Sequence, residues 1–146
     1  MRKVIFAVAL SLIVLFSSGV WAQGVGIPVD IPGTVVNFFL YRYEGDQKPY
    51  NQVNAIWANL SAAFDQWVVS TQDPADLSGK DVHIVVNASG SVSVFLKDHF
   101  IVEVDQYHAK INRATPQQLA EKWAANLREG VEKFVSINQP KPVVKD

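Results

Sequence analysis

The chain has 146 residues, of which 49% are hydrophobic and 18% charged, with no cysteine and a formal net charge of −1 at neutral pH. A chain of this length favours a single domain. The near-neutral charge, without a basic stripe, argues against a nucleic-acid partner. The lack of cysteine excludes disulfides, so we expect a packed core to supply the stability.

Residues 1–22 show the pattern of a secretory signal peptide. Two basic residues precede an apolar run at residues 4–16, and small residues lead to a predicted cleavage site after Ala22. The run is shorter than the roughly 20 residues that cross a bilayer core. An uncleaved N-terminal anchor is the alternative interpretation. We expect cleavage, and a bacterial periplasmic or secreted protein without stable membrane insertion.

The mature chain is predicted to begin with an extended leader, residues 23–34, because prolines and glycines interrupt any periodicity there. Residues 35–43 (VVNFFLYRY) are rich in β-branched and aromatic side chains, which is typical of a strand. We expect alternate side chains to face the core: Val36, Phe38 and Leu40. The aromatic side of this strand is then expected to extend the uncovered face of a sheet.

The first helix is predicted at residues 50–68, where Pro49 suits the preceding turn. Apolar side chains recur there at spacings of three and four residues, which indicates one buried stripe. The stripe comprises Val53, Ile56, Trp57, Leu60, Phe64 and Trp67. Residues 70–81 are interpreted as a solvated loop, because their aspartates lack the ligand spacing of a calcium-binding loop.

Residues 82–105 contain three alternating runs separated by two polar breaks, which predicts a three-stranded antiparallel meander. Both breaks fit three-residue loops, with Gly90 and His99 at left-handed positions. One face is then entirely apolar: Val82, Ile84, Val86, Val92, Val94, Leu96, Phe100, Val102 and Val104. The opposite face mixes polar, aromatic and aliphatic side chains: His83, Val85, Asn87, Ser91, Ser93, Phe95, Ile101, Glu103 and Asp105.

A solvated linker, residues 106–114, is predicted before the last helix, which begins with a capping box at Thr115 and Gln118 and ends near Val135. Its buried stripe is Leu119, Trp123, Leu127, Val131 and Phe134. We expect Trp123 to be the central contact with the apolar sheet face. Residues 136–146 are predicted to form a flexible tail.

These elements predict an α+β fold for residues 35–135, a two-layer sandwich of order β-α-β-β-β-α. Its antiparallel sheet would carry both helices on one face.

The sequence contains no phosphate-binding loop, nucleophile elbow or zinc-protease motif, so we predict no catalytic residues, no cofactor and no metal. The favoured hypothesis is a non-enzymatic binding or protein-interaction module that uses the mixed sheet face. The candidate binding residues are Phe39, Tyr41, Tyr43, His83, Phe95, Ile101 and Glu103. An apolar patch with a polar rim usually marks a partner surface, here a homodimer or another protein, with a small ligand also possible. The alternative is that the leader or the tail covers the patch.

A second hypothesis is a small hydrolytic or metal-dependent enzyme built on His83, or on His108 with Asp105. A metal site would need His99 and His108 together with Asp98 or Asp105.

Residues 101–131 resemble the soluble periplasmic segments that precede the membrane part of some bacterial mechanosensitive-channel-like proteins of the small-conductance type. The matching residues are Thr115, Pro116, Leu119, Ala120, Trp123, Ala124, Leu127 and Arg128. This chain departs from the pattern at His108, where the segments have an acidic residue, and no membrane-spanning helix follows in its sequence. The resemblance implies a stand-alone periplasmic module, without channel activity and without catalytic residues.

Overall fold

A computed structural model describes residues 25–70 and 72–143, so the predicted signal peptide and the last residues of the tail lie outside the described part. The predicted α+β class is confirmed: two small antiparallel sheets combine with three helices. The strands are β1 (Gly26–Asp30), β2 (Asn37–Arg42), β3 (Val82–Val86), β4 (Val92–Leu96) and β5 (His99–Val104). The helices are α1 (Tyr50–Val68), α2 (Gln106–Ile111) and α3 (Pro116–Asn138).

The leader is not outside the domain, because Gly26–Asp30 forms β1 and pairs antiparallel with β2. Its alternating apolar residues account for this: Val29 is fully buried and Ile31, which follows the strand, is 1% exposed. Pro28 is tolerated because a two-stranded sheet has only edge strands. The prediction that residues 35–43 join the meander is therefore wrong, since β1 is the partner of β2.

The meander forms with strand order β3-β4-β5, and its first hairpin has the predicted register. Val86 pairs with Val92, and Gly90 has a left-handed backbone with φ +85°. The prediction for the second loop is wrong. A two-residue turn with Lys97 at φ +54° pairs Leu96 with His99, and the register then shifts.

The register shift is a β-bulge that changes which aromatic and aliphatic side chains are buried. It places Phe100 opposite Phe95 and leaves Phe100 45% exposed, whereas Ile101 is fully buried. Val102 still pairs with Val94, as predicted. The bulge therefore adds Ile101 to the core without moving Val102 out of it.

Helices α1 and α3 each contact both the meander and the small sheet. Helix α3 contacts β2 and all three strands of the meander, whereas α1 contacts β1 and β5. The predicted stripe of α3 is buried throughout: Leu119, Trp123, Leu127, Val131 and Phe134. Trp123 is buried, and its aromatic contacts are with Phe38 and Phe39 of β2 and with His108.

Two boundaries near the C-terminus also differ from the predictions. The solvated linker contains α2, which Asp105 caps by accepting a hydrogen bond from the backbone N–H of His108. Helix α3 continues to Asn138, so the first residues of the predicted tail are helical. Within residues 25–70 and 72–143, no helix is long and apolar enough to cross a membrane.

Substituting Gly130 by alanine is expected to destabilise the fold, although alanine is the better helix former by about 1 kcal/mol. A methyl group at Gly130 would overlap Ile31 Cγ1 and lie 3.0 Å from its Cδ1. Ile31 is 1% exposed and β-branched, so it has little room to move. Overpacking of this kind costs about 1–3 kcal/mol. Urea unfolding of Gly130→Ala measures the loss.

The control for that prediction is the same change in an Ile31→Ala background, where the overlapping side chain is gone. There Gly130→Ala should be neutral or stabilising. An equal loss in both backgrounds would contradict the close contact between Gly130 and Ile31.

Candidate functional site

The uncovered face of the meander, called the outer face below, carries side chains in rows across its three strands. His83 lies opposite Phe95, which lies opposite Phe100. The next row contains Val85, Ser93 and Glu103, and the last contains Asn87 and Ser91. The opposite face is the core face, on which Val92, Val94 and Leu96 are all buried. The outer face is therefore the surface of this sheet that a partner could contact.

His83, Phe95 and Phe100 form a continuous aromatic row. The rings of His83 and Phe95 are nearly parallel, with centroids 5.4 Å apart and planes at 14°. Phe100 meets Phe95 edge to face at 5.8 Å. These distances lie in the range of favourable aromatic pairs. The row combines an exposed imidazole with a large exposed hydrocarbon surface.

The polar side chains beside the row bond to one another and form a polar network: Asn87, Ser91, Ser93 and Glu103. The Asn87 amide donates to Ser91 Oγ at 2.9 Å, Ser93 Oγ at 3.0 Å and Glu103 Oε2 at 3.2 Å. Ser91 and Ser93 are buried although they lie on the outer face. The network satisfies its own polar groups, as buried hydrogen-bonding groups require. The polar side chains of the outer face are therefore bonded to one another, and the exposed rings lie in the aromatic row beside them.

The predicted binding residues divide between three places. His83, Phe95 and Glu103 lie on the outer face, as predicted. Ile101 is in the core. Phe39 and Tyr41 belong to β2 of the other sheet, and Tyr43 directly follows that strand, where its backbone N–H donates to the carbonyl of Val25.

The aromatic surface predicted from β2 and the meander is therefore not one surface. Phe39 is 4% exposed and its ring stacks on Trp123 at 3.9 Å. Phe100 replaces Ile101 on the outer face, and sequence reasoning missed it. No glycine or asparagine marks the shorter turn at Lys97 and Asp98, so the local sequence carried no signal for the register shift.

A second group of side chains surrounds His108, which is 4% exposed. Its ring Nδ1 lies 2.8 Å from Asp105 Oδ1, the oxygen that also accepts the backbone N–H of His108. The carboxylate favours a proton on Nδ1. Nε2 is buried and has no hydrogen-bond partner among the described residues. The rings of Tyr41, Tyr107 and Trp123 surround the imidazole at 4.7, 5.2 and 6.0 Å.

The two tyrosines near His108 have perturbed acidities. Burial raises the pKa of Tyr41, and the negative charge of Asp105 raises it further. Burial likewise raises the pKa of Tyr107, with contributions from Glu44 and Asp105 that Arg42 opposes. In both cases the neutral phenol is favoured, because a phenolate would be poorly solvated and close to a carboxylate.

The structure does not bring the histidines together. His99 Nε2 lies 2.6 Å from Gln66 Oε1, on the side of the meander next to α1, and His83 is in the aromatic row. Within the two described ranges, no group of three histidine, aspartate or glutamate side chains could hold a metal ion. His108 with Asp105 is the one predicted acid–base pair whose side chains are in contact.

Three cavities lie away from the outer face. One of about 250 Å³ is next to Trp67 and Lys97, and one of about 550 Å³ follows residues 44–52. The third, of about 230 Å³, lies between β2 and α3 beside Trp123. None of these three cavities is lined by an outer-face side chain.

Comparison with known proteins adds no relative to this description. No family model matches the chain, and neither the search of curated proteins nor that of solved structures finds a match. The resemblance of residues 101–131 to the channel-associated periplasmic segments stays a prediction.

Proposed function

We propose that the protein is an exported, non-enzymatic interaction module that self-associates through its three-stranded sheet. The observation that carries the proposal is the apolar surface left exposed on this sheet. On the outer face, Val85 is 42% exposed and Phe100, at one end of the aromatic row, is 45% exposed. Val86, on the core face at the edge of the same sheet, is 60% exposed. Apolar patches of this kind, rimmed by polar groups, mark interaction sites.

The shape of this surface favours a protein partner over a small molecule. Small-ligand sites are concave and bury most of the ligand, whereas the outer face is one side of a sheet. Aromatic residues are also enriched in the contacts between proteins. A second copy of the chain is the partner that we infer, because β3 carries no aspartate, glutamate, lysine or arginine that would repel its own image.

The proposal that the protein is exported rests on its amino-acid sequence. The N-terminal residues have the order of charge, apolar run and small residues that a signal peptidase recognises. Because the chain has no cysteine, neither disulfide formation nor thiol oxidation would affect it in an oxidising compartment. The similarity of residues 101–131 to periplasmic segments supports the same compartment.

Sedimentation velocity of the chain from residue 23 onwards tests the self-association. We expect a concentration-dependent dimer, and we expect Val85→Glu to shift it to monomer because the glutamate puts like charges at the contact. Tyr50→Glu is the control, since Tyr50 is 50% exposed but lies at the start of α1. A monomer at every concentration would overturn the proposed function.

Acid–base chemistry at His108 is the second candidate, favoured by the way Asp105 orients the ring. Orientation by a carboxylate is what a catalytic imidazole needs. However, Nε2 is buried, so a substrate would reach it only if β2 or α2 moved. For that reason we place this candidate second.

A further inference from the structure

The two edges of the meander differ in how well they are protected. Strand β5 is bulged and is in contact with α1. Asn59 Nδ2 also donates to the carbonyl of Ile101 at 3.1 Å. Bulges and covering elements are common means of preventing an edge strand from pairing with another chain. The β5 edge is therefore protected against pairing with a strand of another chain.

Among the described residues, the backbone edge of β3 is bonded by another element only at its first residue, where the side chain of Arg128 donates to the carbonyl of Val82. The sequence of β3, VHIVV, contains no proline, lysine or acidic residue, and its register with β4 is regular. A regular, uncharged edge strand is a template for pairing with another strand. On the outer face it presents Val85, and on the core face it presents Val86, which is the more exposed of the two.

The hydrogen bonds at both ends of β3 show which backbone groups point outward. The N–H of Asn87 donates to Ser91 and the N–H of Lys97 donates to Asp81, both at 2.8 Å. Bonded pairs alternate along an antiparallel ladder, so the odd-numbered residues of β3 bond to β4. Ile84 and Val86 therefore direct their N–H and C=O groups to the free edge, where no described residue bonds to them.

We propose that β3 pairs antiparallel with β3 of a second copy, about a two-fold axis at Val85. This inference rests on the proposed function, because it specifies how the sheet self-associates. In this register Ile84 of each copy is opposite Val86 of the other, and all the outward backbone groups of these residues are paired. Val85 then lies opposite Val85 of the second copy on the outer face.

The neighbouring symmetric registers fit less well. An axis at Ile84 would need the backbone of Val82, whose carbonyl already accepts a hydrogen bond from Arg128 Nη2 at 3.3 Å. An axis at Val86 would pair Ile84 with Ala88, which lies in the turn after the strand. With the axis at Val85, the pairing uses the outward N–H and C=O groups of Ile84 and Val86, to which no described residue bonds.

Charge and contact area determine how strongly we expect the two copies to bind each other. No aspartate, glutamate, lysine or arginine lies between Val82 and Ala88, and in this register His83 is opposite Asn87 of the other copy and not opposite its own image, so no pair of like charges is brought together. A ribbon this short buries less than the roughly 800 Å² per partner of a standard interface. We therefore expect a dimer that dissociates on dilution. Its sheet would be continuous, with three strands from each copy.

A single introduced cysteine tests the geometry, because the chain has no other thiol. Directly opposed residues in a non-hydrogen-bonded pair have Cβ atoms about 4.5–5.5 Å apart, close to what a disulfide needs. Val85→Cys should therefore form a covalent dimer when the dimer is oxidised. Phe100→Cys is the matched control: it is similarly exposed on the same face, but on the far strand, and should stay monomeric.

Amide hydrogen exchange supplies a second measurement. The N–H groups of Ile84 and Val86 should exchange more slowly at high protein concentration than after dilution, whereas other edge amides should not respond. Exchange at these two positions that is independent of concentration would overturn the β3 pairing.

The outcomes separate this inference from the proposed function. Cross-linking through Phe100→Cys, or a sedimenting dimer in which Val85→Cys does not cross-link, would overturn the β3 pairing and leave self-association standing. A chain that sediments as a monomer and cross-links at neither position would overturn both.

Discussion

Trp123→Ala is expected to unfold the protein or to leave it barely folded. Trp123 is 3% exposed, and its ring stacks on Phe39 and meets Phe38 and His108 edge to face. Removing a buried tryptophan costs about 3–5 kcal/mol, a large share of the roughly 5–15 kcal/mol that stabilises a domain. Urea unfolding followed by far-UV circular dichroism would measure the loss.

Trp57→Ala is the matched control, because Trp57 is only partly buried against the core. Trp57→Ala should lower the free energy of unfolding by clearly less than Trp123→Ala. Equal losses of stability would mean that Trp123 is not the main contact of α3 with β2. Native-state hydrogen exchange would show which part of the fold the substitution destabilises. Amides of β1 and β2 should lose protection before those of β4, because the ring packs on the small sheet.

The elements with a strong local signal were predicted with the correct type and nearly correct bounds. Helix α1 has the predicted limits because its apolar stripe is regular. Helix α3 begins at the predicted capping box, in which Thr115 and Gln118 bond to each other's backbone. The first hairpin has the predicted register because only one loop length places Gly90 at the left-handed position.

The errors arose where local patterns compete or where the partner is distant in sequence. In β1 the prolines and glycines concealed the alternation of Ile27, Val29 and Ile31. Nothing local shows that β2 pairs with β1 rather than with the meander, because strand pairing is decided by tertiary packing. Once β2 was assigned to the meander, Phe39 was placed on the wrong surface.

The candidate site was predictable only in part for the same reason. His83, Phe95 and Glu103 follow from alternation within single strands, so their face could be inferred. Phe100 and Ile101 exchanged places because a bulge shifts the phase of β5, and bulges leave no strong mark in the sequence. The burial of His108 was missed because its stretch was interpreted as a solvated linker.

Asp105→Ala is expected to destabilise the protein more than the loss of an ordinary helix cap would. Asp105 caps α2 and is also the partner of the buried His108 ring. Losing an N-cap costs about 0.5–2 kcal/mol, and leaving a buried donor unpaired costs about 1–3 kcal/mol more. Thr115→Ala is the control, because Thr115 is an exposed cap of α3 whose side chain serves no buried ring.

A double-mutant cycle with His108→Ala isolates the second contribution. Without the imidazole, Asp105→Ala should cost only as much as Thr115→Ala, so the coupling between Asp105 and His108 should be about 1–3 kcal/mol. His108→Ala alone should also be clearly destabilising, because the ring fills space between Tyr41 and Trp123. An Asp105→Ala cost that is the same with and without His108 would show that the carboxylate acts only as a cap, and that the imidazole keeps its position without it.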